Sequence, residues 1–114
     1  MNIASFPKAM ERAASYGLKW QEEVAGREAG EARRAVESAA ARIQMAEEAV
    51  TASESVRSLR QARHREGLLP LTEVLDAEAG LSGARTLLLN SEYELRVSRA
   101  QLSLALGQPI EGVQ

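Results

Sequence analysis

Val74, Leu81, Leu88, Leu95 and Leu102 fall seven residues apart, and three residues after each come Ala77, Ala84, Ser91, Ser98 and Ala105. Such an alternation of large and small positions predicts a helix that buries one narrow seam against another helix. The small members let the two axes approach closely. Upstream, Val36, Ala39, Ile43, Ala46 and Val50 repeat the spacing. Beyond Val50 the apolar residues Ala52, Val56 and Leu59 lie one position out of phase, so the pattern predicts a stutter in the first helix.

Between the two patterns lies "RHREGLLPLTEVLDAEAGL", residues 63–81. Gly67 suits the end of the first helix and Pro70 the first turn of the second. Arg57, Arg60, Arg63 and Arg65 crowd the end of the first helix, and Glu73, Asp76 and Glu78 open the second. Both placements favour the helix macrodipole. A connection of about four residues forces the helices antiparallel. The predicted fold is all-α: a long antiparallel α-helical hairpin (coiled coil) over residues 31–107, with its turn near 65–70. A helical overhang over residues 1–30 precedes it and a C-terminal tail, 108–114, follows. Pro7 suits the start of the first helix, and Gly107 with Pro109 ends the second. Gly17, Gly26 and Gly30 each cost about 1 kcal/mol against alanine in a helix interior. The overhang therefore either frays or packs against something outside the hairpin.

A second stripe, Thr86, Leu89, Tyr93, Val97, Ala100 and Leu104, runs along roughly the opposite side of the second helix from the leucine heptad. A two-helix hairpin buries one face of each helix, so a helix apolar on two faces belongs in a larger bundle or wall. The isolated chain is expected to self-associate as a homodimeric four-helix bundle, with Leu89, Tyr93, Val97 and Leu104 as assembly positions.

Composition narrows the picture. Aromatics are only 4% of the 114 residues, which favours thin, extended packing over a spherical core. Cysteine is absent, so disulfides and thiol chemistry are excluded. Fourteen basic and sixteen acidic residues intersperse to a net charge of −2, which offers nucleic acid no electrostatic footprint. No apolar run approaches the ~20 residues of a membrane-spanning helix. The N-terminus lacks the apolar stretch of a signal peptide.

Catalytic candidates fail on chemistry. His64 is the single histidine, and no second histidine or cysteine is there to complete a metal site. None of the serines sits in a nucleophile elbow. Gly26 and Gly30 lack the Lys-Ser or Lys-Thr of a phosphate loop. No catalytic, cofactor-binding or metal residue is expected, and the chain is not expected to be an enzyme. The arginines at 57–65 could form a phosphate patch. The expected role is instead a capped helix end facing the acidic start of its partner.

From Glu66 to Gly107 the chain resembles the TolC-like outer membrane efflux protein family. The resemblance rests on Gly67-Leu68, Val74-Leu75-Asp76-Ala77, Leu81, Ala84-Arg85, Tyr93 and Leu104-Ala105-Leu106-Gly107. The preceding "AAARIQMAEEAVTASESVRSLRQARHREG" follows the same family's incoming helix, so that about residues 28–107 are covered. Two departures lie at the corner: His64 where the family usually has tyrosine, and Pro70 where a small polar residue is commoner. The resemblance implies a trimeric outer membrane protein with a periplasmic α-helical barrel. This chain would be the periplasmic hairpin of the C-terminal repeat. The corner would meet a periplasmic adaptor (membrane fusion) protein, which links the channel to an inner membrane transporter. Alternatives are an adaptor hairpin and a free-standing structural coiled coil.

That resemblance gives the corner a role. Arg63, Arg65, Gly67, Leu68, Leu69 and Leu71 are expected to form a partner-binding tip, with the leucines as apolar contacts and the arginines as a rim. The alternative is that Leu68 and Leu71 fold inward to plug the hairpin end, leaving only Leu69 exposed.

Overall fold

The computed structural model describes residues 5–108. It contains two helices, α1 (Phe6–Arg65) and α2 (Leu71–Ala105), packed antiparallel as an elongated rod measuring 97 × 31 × 16 Å. No strand occurs among the described residues. Residues 1–4, Pro109 and the rest of the tail to residue 114 lie outside them.

α1 is 60 residues long and runs through Gly17, Gly26 and Gly30 without a break. At 1.5 Å per residue it spans about 90 Å, nearly the whole rod. Pro7 lies in its first turn, where a missing N–H leaves no bond unmade.

Both helices end in the same way. Glu66 caps α1, the Gly67 N–H donates to His64 O, and the Leu68 N–H donates to Arg63 O. At the end of α2, the Gly107 N–H donates to Leu104 O and the Gln108 N–H to Ser103 O. Each is a Schellman motif, whose C′ residue must be left-handed. Gly67 and Gly107 supply that residue, with φ of 78° and 69°. A Cβ at Gly67 would meet nothing within 4 Å, so any cost of a side chain there is backbone strain alone. Gly67→Ala is expected to destabilise the hairpin by about 1 kcal/mol, and Gly67→Asn by less, because asparagine tolerates the left-handed region. Thermal melts followed by circular dichroism would check the order.

Pro70 serves α2 differently from the expectation. It occupies the N-cap, at φ −69° and ψ 154°, rather than the first turn. Its ring holds the extended conformation, and its carbonyl accepts a bond from the Glu73 N–H.

The register is marked by Arg42 with Glu94, Glu54 with Arg85, and Gln61 with Glu78. Both ion pairs are about half exposed, so each contributes at most about 1 kcal/mol. They mark the alignment, and the seam supplies the stability. Val74, Ala77, Leu81, Ser91 and Ser98 of α2 are buried, and the rest of its predicted seam is half-buried. Facing them on α1, Ala39 and Ala46 are buried. Small meets small, with Ala39 level with Ser98 and Ala46 with Ser91. Between these layers Ile43 lies level with Leu95, and beyond Ala46 Val50 lies level with Leu88. Buried Ser91 satisfies its hydroxyl by donating to Leu87 O at 2.8 Å.

The predicted stutter does not occur. The α1 seam continues in phase past Val50 through Ser53, Arg57 and Arg60, all half-buried, while Ala52, Val56 and Leu59 are exposed. The unbroken heptad of α2 demands an in-phase partner, and a long stem can serve. Half-buried Arg57 lies level with Leu81, which is 1% exposed. The cost is visible: the Arg57 Nε is buried without a hydrogen-bond partner.

Continuing the register sets Ala105 level with about residue 31. Roughly 25 residues of α1 therefore project beyond α2, about 35 Å of single helix. Phe6, Met10, Tyr16, Leu18 and Trp20 are exposed along it.

Candidate functional site: the corner and its flanks

The corner is an ordered structure. His64 occupies the last position of the α1 seam, beside Val74, and its Nδ1 lies 2.8 Å from Leu69 O. A carbonyl only accepts, so Nδ1 carries the proton and donates. Leu69 itself is half-buried. Next to it Arg60 donates from Nη1 to Glu73 O at 3.0 Å, and Gln61 donates to Glu78 Oε1 at 3.0 Å. The arginine-rich end of α1 is thus tied to the acidic start of α2.

Leu68 and Leu71 are 71% and 54% exposed. The arrangement is the reverse of the inward-folded alternative: Leu69 turns in, while Leu68 and Leu71 face out. In a Schellman motif the residue after the glycine usually packs on an apolar residue at C3. Here that residue is Arg63, and Leu68 stays largely exposed. Leu75, one turn beyond Leu71 on α2, is also exposed and extends the apolar patch. Arg63, Arg65 and Gly67 are exposed around it. The six sequence-derived tip residues therefore lie together at one end of the rod.

The assembly positions lie elsewhere. Leu89, Tyr93 and Leu104 are well exposed on the outer side of α2, and Val97 is at 36%. A further apolar surface escaped the sequence pattern. Ala52 and Val56 of α1 share a shallow groove with Asp76, Ala77 and Gly80 of α2. Met45, Ala49 and Leu59 continue the α1 side at helical spacing, and all three are exposed. Ala52, Val56 and Leu59 belong to this surface and not to the seam.

Among the described residues no group of three or more His, Asp or Glu side chains could hold a metal ion, and no helix is long and apolar enough to cross a membrane. What the geometry defines is a helical rod with one apolar tip and exposed apolar flanks. A family model for outer membrane efflux proteins matches residues 19–108, and the chain belongs to that family. It is a component of an outer membrane efflux channel, and the family is one of transport proteins. No curated protein and no solved structure gives a significant match.

Proposed function

We propose that this chain is a periplasmic segment of the α-helical tunnel of such a channel, and that its corner docks onto a periplasmic adaptor serving an inner membrane pump. The observation that carries the reading is the outward placement of Leu68 and Leu71 on a corner fixed by a Schellman motif and the His64–Leu69 bond. An exposed turn is ordinarily polar. A pair of leucines held rigidly in water at the end of a rod is suited to burial by a partner, at little ordering cost. The arginines around the leucines orient the encounter more than they strengthen it. The outer stripe at Leu89, Tyr93, Val97 and Leu104 is a flank by which the hairpin packs into the trimeric wall. Cargo passes the hairpin without chemical change.

The test uses the full-length channel carrying Leu68→Ser and Leu71→Ser. Both side chains are exposed, so fold and trimer assembly should persist. Adaptor binding is expected to weaken by about tenfold or more, as when two apolar anchors are removed from an interface centre, and efflux should fall with it. Unchanged efflux with normal adaptor crosslinking would overturn the assignment.

A further inference from the structure

The groove that Val56 shares with Gly80 lies on a face whose two edges differ in charge and in relief. On the α1 edge, Met45, Ala49, Ala52, Val56 and Leu59 form an apolar ridge. On the α2 edge, level with that ridge, Gly80 and Gly83 form a notch in which an added Cβ would meet nothing within 4 Å. Exposed Leu87 follows one turn on. The apolar block is bounded at both ends by charge, always basic on α1 and acidic on α2. Arg42 and Glu94 close the end away from the corner, 3.2 Å apart. At the corner end Arg60 reaches Glu73 O and lines the groove with Asp76, and exposed Arg63 follows one turn on along α1.

From this pattern we infer that the face is a docking surface for a second copy of this chain, paired in parallel with both corners pointing the same way. A two-fold axis along the rod brings α1 of each copy against α2 of the other without shifting either lengthwise. The Val56 ridge of each then meets the Gly80–Gly83 notch of its partner. Arg42 meets the partner's acidic edge at one end of the block, and Arg60 and Arg63 meet it at the other. The antiparallel pairing of the same faces puts α1 against α1. It sets Arg42 beside Arg60 and Arg63, and Glu94 beside Glu73 and Asp76, so both ends repel. It also sets ridge on ridge and leaves the glycine notch unfilled. The inference concerns the chain by itself and does not depend on the tunnel reading. It uses a different surface from the outer stripe of α2.

The chain contains no cysteine, so single introduced thiols report contacts cleanly. Val56→Cys and Gly80→Cys chains, mixed and oxidised, are expected to form a disulfide-linked pair in high yield, while either alone gives little. Sedimentation of the unmodified chain at high micromolar concentration should show a dimer. Val56→Glu should weaken that dimer by about a hundredfold, as an unpaired charge placed in an apolar contact does. It should leave the helical circular dichroism unchanged, because Val56 lies outside the hairpin seam. A monomer at these concentrations would overturn the inference. So would efficient linkage between Met45→Cys and Leu59→Cys chains, which reports antiparallel pairing. Self-linkage of Tyr93→Cys chains with none between Val56→Cys and Gly80→Cys would overturn it in favour of the outer stripe.

Discussion

Leu81→Ala is expected to destabilise the hairpin by about 3 kcal/mol, within the range for burying a cavity where leucine stood. Leu81 is the largest fully buried side chain among the described residues, and it sits in the seam between Ala77 and Ala84 of its own helix. A two-helix rod has few other large residues to repack into the space. For a domain of this size the loss corresponds to a fall in Tm of about 15 °C. Leu89→Ala removes the same atoms from an exposed position and is expected to change stability by less than about 0.5 kcal/mol. Melts of the two variants side by side, followed by circular dichroism, separate the seam from the outer stripe. Equal losses would mean that Leu89 is buried in solution.

The opposite change tests the small layers. Ala39 is fully buried, and Ser98 lies level with it at 9% exposure. A leucine at residue 39 has nowhere to go without parting the helices, so Ala39→Leu is expected to cost about 2 kcal/mol by overpacking. The same substitution at exposed Ala49 should cost almost nothing. Denaturant unfolding of the two variants gives the comparison. If Ala39→Leu were as stable as the parent, the close approach of α1 and α2 would be refuted.

The legible parts of this chain are those where periodicity and size agree. The α2 seam could be read directly because its large residues are leucine or valine at every seventh position. Beyond Val50 the α1 seam is not legible, because hydrophobicity and period disagree there. Val56 and Leu59 are greasier than Ser53, Arg57 and Arg60, yet the heptad of α2 selects the latter set. The corner was legible in its glycine and its charge reversal, but the direction of its leucines was not. Which leucine turns in depends on the path the chain takes through the Schellman turn, a three-dimensional fact. The face containing the glycine notch was hidden for the same reason: its members come from two helices, and only the register brings them level.

The order in which the hairpin assembles follows from its single connection. Near the corner the paired groups are close in sequence, 17 residues apart for Gln61 and Glu78, whereas Arg42 and Glu94 are separated by 52. Closing the long loop first would cost the chain entropy of the whole intervening segment, whereas closing the short one first leaves each later layer already aligned. Folding is therefore expected to run as a zipper from the glycine turn toward the open end, through contacts local enough for a fast, low-contact-order process. Unzipping runs the other way. Amide protons of α1 and α2 near the open end are expected to exchange first, through partial openings, and those flanking the corner last. The end carrying Leu68 and Leu71 keeps its shape while the far end breathes.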